Sequence, residues 1–214
     1  MQISKSILIF LLLFIQQNLF VIDKDISQTK VDKKIDSLLN IVDDLAYEDY
    51  NLNLRMLKQA ESIALGDNNE KKLGDVYTAF GVYYYIRGVY DLSLEMHLKA
   101  IKIHEKYKNY PNMSRSLNGV GLVQLGLNQF DEAITTFKEC IAYNTKLKRF
   151  AAVGRNYFNI ALAEIENKNY QEVLKNLKTS LSFVKKYHDY RTEHMVYNRL
   201  GDAELMLNDI DSSL

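Results

Sequence analysis

The chain has 214 residues, 47% of them apolar, with nine Gly, one Pro and one Cys. That is enough apolar material for a continuous core, and too few turn-formers for a fold made of many short strands. Lys and Arg number 27 and so do Asp and Glu; a chain without net charge lacks the broad basic field that nonspecific nucleic-acid binding needs, and one cysteine permits no internal disulfide.

Lys5 precedes nine apolar residues, Ile7 to Ile15. The run has the length of an export signal's hydrophobic core and is too short by itself to cross a bilayer. No small-x-small site comes after it, so residues 1–22 are read either as a cleaved signal peptide or as an uncleaved signal anchor. The expected location is the periplasm or cell envelope, with inner-membrane anchoring under the second alternative. Residues 23–34 are polar and are expected to form a flexible tether.

Residues 35–73 are expected to be a degenerate first repeat. Its second helix carries Tyr50, Leu54, Leu57 and Ala60 in phase with the later units, while Ile41 stands where a small residue should be. From residue 74 the chain repeats every 40 positions, in phase with Gly81, Gly121, Ala161 and Gly201. Tyr77, Leu117, Tyr157 and Tyr197 stand four residues earlier, and Phe80, Val120, Ile160 and Leu200 one earlier, which places them on one helical stripe. Nine residues after the small residue come Tyr90, Phe130, Tyr170 and Ile210, so helices are expected to break near Gly88, Asn128, Lys168 and Asn208. Asp91, Asp131 and Asp211 then lie where a helix start favours an acceptor and a negative charge. The units are 74–113, 114–153, 154–193 and an incomplete 194–214. Each is a helical hairpin whose small residue allows two helices to approach to about 8–10 Å.

These residues carry a resemblance. The stretch from Gly121 through Phe130, Asp131 and Ala133, and with it Tyr77 to Ala100, resembles the tetratricopeptide repeat, in a variety with 40 residues per unit instead of 34. The resemblance implies an all-α, right-handed superhelical solenoid of antiparallel helix hairpins, with no catalytic function and no cofactor, that binds a protein or peptide segment. With the leader, it is similar to the N-terminal sensory region of Bacteroidota membrane histidine kinases and regulators. A free envelope scaffold or assembly factor, and the accessory region of an enzyme whose catalytic domain lies beyond Leu214, are the alternatives.

No motif for chemistry stands out. Gly119, Gly121 and Gly126 lack the Lys-Ser/Thr and the preceding strand of a phosphate loop. His97 occupies an interior repeat position and reads as a satisfied core histidine; no metal-ligand spacing surrounds it. Cys140 replaces Ala100 and Ser180 of the sister units and reads as a small buried residue. By the resemblance, ligands lie along the first helices. This selects Arg115, Asn118, Leu122 and Leu125; Arg155, Phe158, Asn159, Leu162 and Ile165; Asn198, Arg199, Asp202 and Leu205; and Asp75, Thr78, Val82 and Tyr85. The arginines and asparagines loosely resemble a clamp for a peptide carboxylate. The competing reading is that the arginines are solvated and the asparagines join neighbouring helices.

Overall fold

Helices of one length separated by one type of turn make up residues 50–186. The structure, a computed structural model, describes residues 17, 27–43 and 48–211. The described helices are α1 (residues 27–43), α2 (Tyr50–Gly66), α3 (Glu70–Ile86), α4 (Tyr90–Lys106), α5 (Tyr110–Gly126), α6 (Phe130–Lys146), α7 (Phe150–Glu166), α8 (Tyr170–Lys186) and α9 (Tyr190–Asp211). No strand occurs among the described residues. The expected leader lies outside them except for Gln17, and no described helix is long and apolar enough to cross a membrane.

From α2 to α8 every helix has 17 residues. The 40-residue period therefore contains two equal halves, each closed by a left-handed residue: Asn68, Gly88, Lys108, Asn128, Lys148, Lys168 and His188 all have positive φ. Around each, two backbone bonds satisfy the last carbonyls of the helix. Gly88 N–H donates to Tyr85 O at 3.0 Å and Val89 N–H to Tyr84 O at 2.9 Å; Asn128 and Gln129 do the same to Leu125 and Gln124. Gly88, Asn128 and Lys168 are the breaks that the sequence marks. Asn208 is not: α9 runs through it to Asp211, and no helix begins at Ile210. Asp91 and Asp131 are not caps either, since Val89 and Gln129 hold the cap positions and make no side-chain bond. The two aspartates sit in the first turn, where they complement the helix dipole.

The chain divides into two units, Met1–Lys72 and Leu73–Leu214. In the first, Ile35, Leu38 and Val42 of α1 and Leu57, Ala60 and Ala64 of α2 are buried, and Asn53 Nδ2 donates to Val42 O at 2.9 Å. The expected tether is corrected here, because residues 27–34 are helical. Their polarity serves hydrogen bonds to the α2–α3 connector: Gln28 Nε2 donates to Asp67 Oδ2 at 2.9 Å, and Asn69 Nδ2 to Asp32 Oδ1 at 2.6 Å.

The second unit packs each helix from α4 to α9 against its neighbour in sequence. Gly81 and Gly121 do what their phase predicts, whereas Gly201 is exposed and meets no neighbour. A Cβ on Gly81 would lie 2.5 Å from His97 Cε1, and one on Gly121 2.5 Å from Phe137 Cε1. A second stripe, seven residues earlier, was not read from the sequence: a Cβ on Gly74 would lie 2.9 Å from Ile103 Cγ2 and 3.0 Å from His104 Cε1, and one on Gly154 2.8 Å from Val184 Cγ1. Two close approaches per hairpin hold the helices antiparallel. Helix starts at Glu70, Tyr110, Phe150 and Tyr190 precede the expected unit boundaries by about one helical turn.

Candidate functional site

The first helices of successive hairpins, α5 and α7, lie side by side in the second unit and expose Arg115 and Arg155 at equivalent positions. Arg155 Nη1 donates to Asp189 Oδ2 at 2.5 Å. Partial burial raises the Asp189 carboxyl, but the Arg155 bond and the backbone N–H of Thr192 outweigh it and hold its pKa below the usual value. A third guanidinium joins them. Arg149, in the α6–α7 connector, donates to Pro111 O at 2.7 Å; partial burial, then the charges of Arg155 and Arg115, lower its pKa. Sequence reasoning missed Arg149 because it precedes the helix on which ligand positions were sought. Its only signal is the Lys146-Leu147-Lys148-Arg149 run.

The asparagines form a chain across three helices. Asn144 Nδ2 donates to Asn156 Oδ1 at 3.2 Å, and Asn156 and Asn159 both donate to Asn118 Oδ1, at 2.7 and 3.0 Å. Thus Asn118 and Asn159 do join neighbouring helices. Their bonds leave the Asn118 Nδ2 group and the Asn159 carbonyl oxygen as donor and acceptor side by side on half-buried residues. Leu122 packs on the Phe137 cluster and Leu162 on the Leu177 cluster, both partly buried. Tyr85 is half-buried, its ring 6.0 Å from that of Tyr90.

Other expected positions fall elsewhere. Thr78 and Phe158 are buried, so neither lines an open face. Thr78 Oγ1 instead joins Ser116 Oγ at 2.8 Å, His104 Nε2 at 3.1 Å and Gly74 O at 3.0 Å. Arg199 pairs with Asp202 at 3.3 Å along its own helix, and Asn198 faces His194 at 3.4 Å. Neither joins the arginine group on α5 and α7. Among the described residues no cluster has the makeup of a metal site. Cys140 is buried and its thiol is pushed up to about 12, chiefly by burial, which makes it unreactive. His97 is buried without satisfaction: its Nδ1 has no partner, and burial, aided by Arg115, lowers its pKa to about 4.

A tetratricopeptide repeat family model matches residues 73–146. Over those residues the helix hairpins are similar to tetratricopeptide repeats. Outer dynein arm-docking complex subunit 4 of Xenopus laevis is 25% identical over 211 aligned positions, which cover 80% of this chain and 39% of that protein. The chain thus spans well under half the length of this relative. The apo form of RapI superposes with a TM-score of 0.68 at 15% identity, over 77% of this chain and 60% of the other. Aspartyl phosphate phosphatase F of Bacillus subtilis gives 0.69 at 17% over 85% and 50%, and BtubC of P. vanneervenii 0.62 at 15% over 85% of each chain. At such identities the likeness concerns the fold alone.

Proposed function

We propose that the chain is a non-catalytic module whose first-helix face holds an extended protein or peptide segment bearing a carboxylate or acidic side chains. The observation that carries this is the gathering of Arg115, Arg149 and Arg155, with the bonded Asn118 and Asn159 about one helical turn further along α5 and α7. Guanidinium forks bind carboxylates in two-bond geometry, and a paired amide donor and acceptor matches a peptide backbone. Relative to the expectation from sequence, the site keeps Arg115 and Arg155, adds Arg149 and loses the support of Arg199. Titration of acidic and neutral peptides from a library against the protein tests it. Arg155→Ala should weaken acidic peptides by roughly tenfold, the scale of one charge-assisted bond. Equal binding by the variant, or enrichment of basic peptides, would remove the anion-reading role.

The same reading places the module outside the cytoplasm as the sensory part of a bacterial signalling protein, of the kind found ahead of Bacteroidota histidine kinases, on the support of the Lys5 and Ile7–Ile15 leader. A fusion of residues 1–34 to a reporter active only after export tests the location, and a silent reporter would refute it. A second reading, an assembly scaffold, draws support from the relative named as a subunit of a docking complex. It predicts a constitutive protein partner in place of an exchangeable peptide, which crosslinking in cells separates.

A further inference from the structure

A formal charge of zero conceals a division between the two edges of the second unit. Because consecutive helices run antiparallel, the connectors α4–α5, α6–α7 and α8–α9 emerge on one edge, and α3–α4, α5–α6 and α7–α8 on the other. The first edge repeats a basic-aromatic sequence: Lys106-Tyr107-Lys108-Asn109-Tyr110, Lys146-Leu147-Lys148-Arg149-Phe150 and Lys186-Tyr187-His188-Asp189-Tyr190. Between residues 145 and 155 there are four cations and no carboxylate. The opposite edge carries Asp91, Asp131, Glu132, Glu166 and Glu172 against Arg87, Lys168 and Lys175.

Two further observations set the first edge apart. All three of its turn tips, left-handed positions that favour glycine or asparagine, hold a basic residue, Lys108 at φ 53°, Lys148 at 56° and His188 at 59°, whereas the opposite edge has Gly88, Asn128 and a single lysine, Lys168 at 57°. Backbone strain is thus accepted where a basic side chain is carried outward. Its tyrosines are also open: Tyr107 and Tyr110 are 41% exposed and Tyr190 70%. Lys106 and Lys186 stand 5.4 and 5.6 Å from the centres of the Tyr107 and Tyr187 rings. Lysines interleaved with exposed tyrosines, whose rings are apolar and whose tips are polar, match the boundary of a bilayer, where cations meet phosphates and the rings settle at headgroup depth.

We infer that the edge formed by the α4–α5, α6–α7 and α8–α9 connectors docks on the headgroups of an anionic phospholipid bilayer, with the acidic edge turned away. This edge adjoins the peptide-binding face and shares Arg149 and Arg155 with it, whereas its lysines are not among the groups assigned there.

The test is flotation of the full chain with vesicles of phosphatidylcholine alone or with 30% phosphatidylglycerol (about one lipid in three, to mimic an anionic leaflet). The variant is Lys106→Gln/Lys108→Gln/Lys146→Gln/Lys148→Gln. Both proteins keep the N-terminal apolar run, so any contribution from it is shared. The wild type should prefer anionic vesicles by at least about tenfold at low salt, and lose that preference as salt rises. The variant should lose the preference while keeping its helical spectrum, whereas a control, Asp91→Asn/Glu132→Gln on the opposite edge, should keep it. Equal preference in wild type and lysine variant would overturn the inference. So would a wild type that ignores the vesicles and instead captures a single-stranded oligonucleotide or an acidic protein through the same lysines.

Discussion

His97 and Phe137 occupy the same place in successive hairpins, each filling the space left by a glycine, and chemistry alone separates them. Burying Phe137 stabilises the α5–α6 hairpin, so Phe137→Ala should cost about 3–5 kcal/mol, read as a fall in the denaturation midpoint. Gly121→Leu should also destabilise, by about 1–3 kcal/mol or more, because the new side chain must displace the Phe137 ring. His97 carries a pH cost that Phe137 does not. Its folded pKa of about 4 lies below the ordinary 6.5, so between those values the unfolded chain takes up a proton that the folded chain refuses. Stability is complete above about pH 6.5 and falls as the pH drops toward 4, by up to about 3 kcal/mol from this one group. His104, whose pKa is also lowered chiefly by burial, acts in the same direction. His97→Leu, which copies Leu177 of the sister unit, should flatten the melting temperature between pH 7 and pH 4. An unchanged pH profile would show that the ring is not the group being titrated.

At the level of the helix and its turn, the left-handed residue fixes both where a helix stops and how the chain reverses. Gly88→Ala should destabilise by about 1 kcal/mol, since an L side chain at φ 70° crowds its own backbone; a chemical denaturation curve measures it. The aromatic pairs of the α7–α8 hairpin extend the same logic to packing. Phe150 stacks on Phe183 and Tyr187, with ring centres 6.4 and 5.0 Å apart, and Tyr157 on Phe183 at 6.1 Å. Helix α9 is more open along its outer stripe. Tyr197 and Leu205 are 47% and 66% exposed, and nothing lies within 4 Å of a Cβ built on Gly201. Amide hydrogen exchange should therefore be faster in α9 than in α5 to α8, and equal protection throughout would contradict this packing.

Across the whole molecule, circular dichroism should show helix with negligible strand, and local pattern accounts for most of that. Helix spacing, hairpin pairing and the crossing glycines were legible because each depends on residues close in sequence: small residues recur at the 40-residue phase, and their large partners, such as Gly121 and Phe137, lie within the same hairpin. Where legibility failed, a longer-range contact had decided the matter. Residues 27–34 are polar and read as a tether, but bonds to Asp67 and Asn69 some forty positions away place them on a helix. Asn208 looks like a turn residue in phase with Gly88, yet α9 continues through it. Thr78 and Phe158 match the spacing of an open face, and packing against neighbouring helices buries them. The arginine group shows the same division. Arg115 and Arg155 share a repeat position and could be picked from the sequence, whereas Arg149 reaches them only because the α6–α7 connector lies over the start of α5, where Pro111 O receives its bond. Sequence by itself thus determined the helices, their period and the pairing within each hairpin, since these depend on backbone preference and side-chain size over short distances. Only tertiary structure decided which polar residues face one another and which edge collects the positive charge, because stacking brings together side chains that one linear period keeps about forty residues apart.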